Sequence, residues 1–198
     1  MNDLLRSQIV AVLRSPSAAA VDFRISGVRV TSIMLGRVAT AVEGYMTPAG
    51  RLTPIQVIVN PGLHRTYGYN GIYHYHDYFT FERDHLRNDH DEALVIHESV
   101  HAAFDMTRTV IPGVDNEAAA YLAQAIYFLT KGNPVPGNLS GRPIFAAAFP
   151  LAQSVLRGAD QPTAAHLEPL REALRNAPNY TQLRARGFRY RTDGVRGL

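Results

Sequence analysis

Two central stretches of the chain combine dense apolar residues with helical spacing. The first spans residues 92–104 and contains no Gly or Pro that would interrupt a helix. The second follows a break at residues 111–113 and runs to about Thr130, with Asp115 or Asn116 as the expected cap. The second stretch is apolar on nearly every face, so we expect a buried helix there.

Shorter patterns on the N-terminal side indicate one helix followed by strands. Residues 28–42 and 52–59 are dense in Val, Ile, Leu and Thr, which predicts two strands of a twisted sheet. Residues 72–81 alternate enough to predict a third strand, after a Tyr- and Gly-rich loop at 62–71. The N-terminal helix is predicted from one apolar face, formed by Leu4, Leu5, Ile9, Val12 and Leu13.

A segment rich in Gly, Pro and Asn, residues 131–143, is the clearest internal boundary. Beyond it, residues 144–157 and 163–176 have the pattern of two helices separated by a glycine. We therefore predict a core at 1–131 and a C-terminal helical subdomain at 143–198, packed together as one compact unit.

Composition limits the location and the chemistry. The chain has 198 residues, 46% of them hydrophobic, which is enough for a sizeable core, and it has no Cys for disulfides or thiolate metal sites. Arg6 and Arg14 interrupt the first apolar stretch, so no secretory segment is evident. The longest apolar run, 118–129, is too short to span a bilayer. These features predict a cytoplasmic protein with no membrane span, and leave signal-independent export open.

The net charge of +3 is mild, but the basic residues are unevenly distributed. Residues 184–191 interleave arginines with aromatic residues, a pattern that can contact nucleic acid or another polyanion. A solvated or partly disordered tail explains the same composition more simply. We therefore do not expect nucleic-acid binding to be the main function.

The first apolar helix carries His97-Glu98-Ser99-Val100-His101, which matches H-E-x-x-H. On a helix the two histidines lie about 40° apart and one turn along, so both imidazoles can bind one metal ion. Glu98 lies about 60° from His101 on the same arc, where a carboxylate can take a proton from a metal-activated water.

A catalytic zinc site usually has three protein ligands, so a third must lie downstream. The metzincin pattern would require a His where Thr107 stands and a Gly where Phe104 stands, and it is therefore excluded. Glu117 begins a polar line along the second helix that continues at Tyr121 and Gln124. A buried polar line needs a partner, and a metal ion held by a facing helix would be one.

Glu117 has one close rival as the third ligand. Asp115 lies two residues earlier, and Asp is also a zinc ligand in some related sites. Its position at or before the predicted helix cap leaves its direction less constrained, so we favour Glu117.

The order of H-E-x-x-H, a turn, and N-E-x-x-A on a second helix resembles the gluzincins, the group of zinc peptidases that includes thermolysin. The resemblance covers residues 89–130, about a fifth of the chain. It implies that His97, His101 and Glu117 bind Zn²⁺ and that Glu98 is the general base. It also implies an α+β, zincin-like fold, in which a small twisted sheet precedes the H-E-x-x-H helix, the glutamate helix and C-terminal helices.

Two features leave roles open. Thermolysin-like enzymes have an Asp four residues after the ligand glutamate, whereas this chain has Tyr121. Peptide hydrolysis also needs a donor that stabilises the developing oxyanion. Tyr121, His166 and Tyr180 compete for that catalytic role.

The predicted third strand carries His74 and His76 on one face, which raises the question of a second metal site. No acidic residue or third histidine stands at a matching spacing, so packing and surface solvation explain this pair better. In zincins the strand nearest the active-site helix commonly accepts an extended peptide, and this strand is the candidate for that edge.

Together these patterns predict a zinc metallopeptidase acting on a peptide or protein substrate, with Glu98 as base. The alternative is a zinc-binding regulatory or protein-interaction module of the same fold that has little or no turnover.

Overall fold

The computed structural model describes residues 3–48, 50–67, 70–132, 142–158 and 162–196, and shows a mixed α+β fold. The helices in this part of the chain are α1 Asp3–Leu13, α2 Pro16–Ala19, α3 Ser32–Glu43, α4 Leu63–Tyr67, α5 Asp89–Met106, α6 Gly113–Thr130, α7 Pro143–Leu156 and α8 Ala164–Asn176, followed by the 3-10 helix Pro178–Arg184. The strands are β1 Asp22–Ile25, β2 Val28–Thr31, β3 Tyr45–Thr47, β4 Gly50–Leu52, β5 Gln56–Val59, β6 Gly71–His74 and β7 Tyr78–Phe81.

Helices α5 and α6 pack against each other at the centre of the molecule. Helix α5 begins after Asn88, whose side-chain oxygen accepts hydrogen bonds from the amides of His90 and Asp91. Helices α1 and α3 pack on α5, while α7 and α8 pack on α6. The buried apolar residues of all these helices join in one hydrophobic core, so both predicted central helices are confirmed.

Helix α6 begins earlier than its predicted cap. Pro112 precedes its first residue, Gly113, and Asp115 already lies in the first turn. Neither Asp115 nor Asn116 caps the helix, because both side chains bond to other parts of the fold. The amides of both residues instead donate to the carbonyl oxygen of Pro112.

The predicted strand at 28–42 is wrong over most of its length. Only β2 is extended, and α3 occupies the remainder. The side chain of Thr31 accepts a hydrogen bond from the Met34 amide and caps α3. Residue composition favoured a strand, but the buried residues follow a helical spacing, at Leu35, Val38, Ala39 and Val42.

The three-stranded sheet has the order β5-β7-β6, with β5 parallel and β6 antiparallel to β7. The predicted strand at 72–81 is in fact the hairpin of β6 and β7, which turns at Asp77 with φ of 67°. The predicted strand at 52–59 is confirmed only as β5, because Thr53 and Pro54 separate it from β4. Strand β6 lies against α5 and brings the sheet to the H-E-x-x-H motif.

The C-terminal helices agree with the sequence patterns, whereas the tail does not. Most of the predicted boundary loop, residues 133–141, lies outside the described residues. After the 3-10 helix, residues 188–196 run back over the core instead of forming a solvated tail. Phe188 and Tyr190 pack against the core and Val195 is buried within it.

Across the described ranges of the chain, no helix combines the length and the apolar character needed to cross a membrane.

Candidate metal centre

His97 and His101 occupy successive turns of α5 and face Glu117 in the first turns of α6. Their Nε2 atoms are 3.3 Å apart. Oε2 of Glu117 lies 3.5 Å from Nε2 of His97, and Oε1 lies 3.7 Å from Nε2 of His101. The close packing of α5 on α6 therefore brings the three predicted ligands together, and within the described ranges they form the one group of three acidic or imidazole side chains suited to a metal ion.

Burial makes this cluster costly without a bound cation. His97 and Glu117 are each 4% exposed. Oε2 of Glu117 is buried and makes no hydrogen bond to the described residues. A buried carboxylate oxygen without a partner is strongly unfavourable. A metal ion between Glu117 and the two histidines would satisfy it, so the group could hold one.

The orientation of His101 is set by the residue next to Glu117. Nδ1 of His101 donates to Oδ1 of the buried Asn116 at 2.5 Å. This hydrogen bond puts the proton on Nδ1 and leaves the lone pair of Nε2 directed toward His97 and Glu117. On α6, Asn116 thus orients one candidate ligand, His101. The next residue, Glu117, is itself another candidate ligand.

His97 is held differently, by an aromatic ring. The ring of Tyr121 meets the His97 ring edge-on, with centroids 4.5 Å apart. Nδ1 of His97 is buried and has no hydrogen-bond partner among the described residues. Tyr121 therefore restrains this imidazole by packing. The Tyr121 hydroxyl lies 3.0 Å from that of Tyr180.

Glu98 lies beside the three-residue group and is 6% exposed. Its Oε2 accepts a hydrogen bond from the backbone amide of Tyr73 in β6, at 2.8 Å. Burial raises the pKa of Glu98 to about 7, although nearby His101 and the Tyr73 amide act in the opposite direction. The strand next to α5 thus holds a carboxylate whose proton affinity suits proton transfer near neutral pH.

Glu117 has the opposite character. Burial acts to raise its pKa, but the neighbouring imidazoles of His101 and His97 and a hydrogen bond from Tyr190 together lower the pKa to about 2. The Tyr190 hydroxyl donates to Oε1 at 2.5 Å. Two buried carboxylates on facing helices therefore differ in protonation behaviour, and Glu117 is the one kept ionised.

A cavity of about 190 Å³ opens at this cluster. Its wall is formed by Gly71, Ile72, Tyr73, Tyr75, His97, Glu98, His101, Asn116, Glu117, Tyr180, Gln182, Tyr190, Arg191 and Thr192. The three candidate ligands, the candidate base and four tyrosines therefore line one space.

The other residues suggested by the sequence lie elsewhere. His166 is on the exposed face of α8 and lines a separate depression between α7 and α8. Asp115 binds Arg171 at 2.6 Å and Ser26 at 2.6 Å. His74 stacks on Tyr78, whereas His76 packs on Tyr75. The structure brings neither His166 nor Asp115 to the cavity, and it groups the histidine pair with no further ligand in the described part of the chain.

Sequence reasoning missed the contribution of the C-terminal segment. Gln182, Tyr190, Arg191 and Thr192 line the cavity, although their neighbourhood has the composition of a solvated tail. The alternation of arginine with Phe188 and Tyr190 was the available signal: the two aromatic residues are two positions apart, so in an extended segment they share one face that can pack on a core.

No protein-family model matches the chain, and neither a curated protein nor a solved structure matches it. The function of the chain is therefore to be inferred from the residues and geometry of the site itself.

Proposed function

We propose that the chain is a gluzincin-like zinc metallopeptidase with a zincin-like fold, acting on a peptide or protein substrate. The observation that carries this proposal is the position of Glu98. It shares a cavity with His97, His101 and Glu117, yet it is not one of the three grouped side chains. Three ligands with a separate buried carboxylate at their side are the parts required for metal-assisted hydrolysis.

The spacing of the ligand atoms favours zinc. Bonds of about 2.0–2.2 Å in tetrahedral geometry separate neighbouring ligand atoms by about 3.3–3.6 Å. In the structure the two imidazole nitrogens are 3.3 Å apart, and they lie 3.5 and 3.7 Å from the two oxygens of the carboxylate. Two imidazoles and one carboxylate are a usual catalytic zinc set, and they leave a position for water. When bound, zinc would supply Lewis acidity toward a carbonyl oxygen and lower the pKa of water.

Glu98 is the proposed general base. The Tyr73 amide holds its Oε2 atom, which fixes the carboxylate at the cavity wall. It would accept a proton from the attacking water and pass that proton to the leaving amine. The backbone donor comes from β6, an edge strand of the described sheet, beside which an extended peptide could align.

Tyr180 is the proposed donor to the carbonyl oxygen that gains negative charge during attack. Of the three residues that competed for this role in the sequence, it is the one that lines the cavity. Burial and the nearby Glu117 carboxylate raise the pKa of Tyr180, so its hydroxyl stays protonated and able to donate. Tyr121, behind it, would orient that hydroxyl through their 3.0 Å contact.

Metal content tests the site first. We expect purified protein to hold about one zinc ion per chain, and His97→Ala and His101→Ala to lose most of it. Elemental analysis after dialysis measures this directly. Wild-type zinc content in both variants would exclude the proposed ligands.

The decisive test of catalysis is Glu98→Gln, because the amide oxygen can still accept the Tyr73 N–H while the base is lost. We expect full zinc content and a fall of about 10² to 10⁴ in kcat on a peptide library. Glu172→Gln, which changes an exposed glutamate of α8, is the matched control and should retain wild-type activity. A wild-type protein that binds zinc and cleaves no peptide would instead support the regulatory module.

A further inference from the structure

We propose that Tyr190 is a positioning residue of the metal centre, and that residues 188–196, here termed the C-terminal strap, hold Glu117 in its metal-binding orientation. The inference rests on the metal site of the proposed function but not on peptide hydrolysis.

The contact that carries this inference joins Tyr190 to Glu117. The hydroxyl donates to Oε1 at 2.5 Å and leaves Oε2 facing Nε2 of His97 at 3.5 Å. The side chain of Gln182 also hydrogen-bonds to Tyr190, so the tyrosine lies between an amide and the carboxylate. The two oxygens of Glu117 are thus distinguished by their surroundings. Oε1 accepts from the strap and lies 3.7 Å from Nε2 of His101, whereas Oε2 faces His97 and has no hydrogen-bond partner among the described residues.

A glutamate needs such a partner more than a histidine does. Its side chain has three rotatable bonds, and its terminal torsion is broad, so packing alone sets the carboxylate plane poorly. Fixing Oε1 with a hydrogen bond removes much of this freedom before a metal ion arrives. Hydrogen-bond partners of ligating carboxylates commonly contribute 10- to 100-fold to metal affinity.

Tyr190 is itself held from both sides along the chain. Before it, the carbonyl of Phe188 accepts a hydrogen bond from the Gly113 amide at 2.8 Å, at the start of α6. After it, the amide of Gly194 donates to Asp105 at 3.0 Å. The ring of Tyr190 lies 5.7 Å from that of His101, between centroids. The strap is therefore tied to both helices that carry the ligands.

Buried acids explain why this segment is docked rather than solvated. Glu117, Asp105 and Asp77 are 4%, 1% and 7% exposed. Each accepts a hydrogen bond from the strap: Glu117 from the Tyr190 hydroxyl, Asp105 from the Gly194 amide and Asp77 from the Arg196 amide. Buried carboxylates are strongly destabilising without hydrogen-bond donors. These three core residues therefore stabilise the docked conformation of the strap.

The chain offers a matched control for Tyr190. The Tyr127 hydroxyl of α6 also donates to a carboxylate of α5, Oε2 of Glu92, at 2.6 Å. Glu92 is not in the metal group, and neither residue lines the cavity. Tyr127→Phe and Tyr190→Phe therefore remove the same hydroxyl from the same kind of acceptor, and differ in whether that acceptor is a candidate ligand.

The experiment compares zinc affinity in these two variants and the wild type, by competition with a chromophoric chelator. We expect Tyr190→Phe to weaken zinc binding about 10- to 100-fold and Tyr127→Phe to stay within about threefold of the wild type. Thermal unfolding of the zinc-free proteins should show similar losses for both variants. A Tyr190→Phe affinity equal to the wild type, or an equal loss in both variants, would overturn the positioning role.

Cobalt substitution supplies a second readout that a purely structural role would not change. Because Co²⁺ reports its ligand geometry through its visible absorption, we expect an altered spectrum in Tyr190→Phe and an unaltered one in Tyr127→Phe. Identical spectra in all three proteins would also overturn the proposal while leaving the metal site intact. Failure of the wild type to bind either metal would remove the site and the positioning role together.

Discussion

Asn116 holds His101 through a 2.5 Å hydrogen bond from Nδ1 to Oδ1, and it is the immediate neighbour of Glu117 on α6. One turn of one helix therefore carries both a candidate ligand and the group that orients another ligand on the facing helix. The two helices are coupled at the site through this contact. The direction of Nε2 of His101, the candidate ligand atom, therefore depends on a residue outside the three-residue group.

This relationship predicts the effect of removing the acceptor. Asn116→Leu keeps the volume but leaves Nδ1 of His101 without a partner, so we expect zinc affinity to fall about 10- to 100-fold. Asn116→Asp keeps an acceptor and should bind zinc more tightly than Asn116→Leu. Chelator competition measures both variants, and an identical affinity in the two would show that the hydrogen bond does not orient the ligand.

Substitutions of Asp115 and of Glu117 should affect different properties, namely stability for Asp115 and zinc affinity for Glu117. Glu117→Gln removes a charged ligand and should weaken zinc binding with little loss of metal-free stability. Asp115→Ala breaks a buried pair with Arg171, and we expect a loss of about 3 kcal/mol, at the low end for such pairs, because Arg171 retains Glu168 at 3.6 Å. This loss exceeds the ~1 kcal/mol of a helix cap.

The measurements are zinc titration and denaturant unfolding of the chelated protein for both variants. Zinc loss in Asp115→Ala without zinc loss in Glu117→Gln would contradict the ligand assignment.

Tyr180 lines the cavity and His166 does not, so substitutions of the two residues should have different effects on catalysis. Tyr180→Phe should lower kcat by about 10² or more, with zinc content unchanged, if its hydroxyl stabilises the developing charge. His166→Ala should leave kcat near the wild-type value, because its ring lines a depression between α7 and α8. Steady-state kinetics on one cleavable peptide measures both, and a larger defect in His166→Ala would return the role to that residue.

Two helical glycines provide a test of strap docking. A Cβ on Gly113 would overlap the ring of Phe188, whereas a Cβ on Gly36 in α3 would meet nothing within 4 Å. We expect Gly113→Ala to destabilise the protein by about 1–3 kcal/mol through this overlap. Gly36→Ala should stabilise it by up to ~1 kcal/mol through helix propensity.

Thermal unfolding of both variants checks this contrast. In Gly113→Ala, increased protease cleavage after the arginines of the strap would locate the defect there. An unchanged cleavage pattern together with wild-type stability would show that the Phe188 contact is easily relieved.

Local patterns correctly predicted the two central helices and the residues that meet between them. The reason is that helical periodicity is a short-range property: His97 and His101 share a face because they are four residues apart, whatever surrounds them. Glu117 was identified because a polar line on a buried helix requires a polar partner. The structure confirms that these three side chains lie together, while zinc and peptidase activity remain proposals.

Residue composition was a less reliable guide where the same types of residue can form either a strand or a helix. Residues 28–42 are rich in strand-forming side chains, but burial of one helical face in the core made most of them α3. The cap expected at Asp115 was lost because a pairing with Arg171, far along the chain, outweighed a local hydrogen bond.

The chain alone determined the helical frame of the candidate metal centre, since spacing on a helix orients side chains without reference to distant residues. Only the tertiary structure decided what encloses that centre. Tyr190 lies 73 residues after Glu117, and no local pattern records a contact of that separation. The arginine-rich end of the chain is docked because buried acids in the core need donors, and that requirement becomes visible only when the core is assembled.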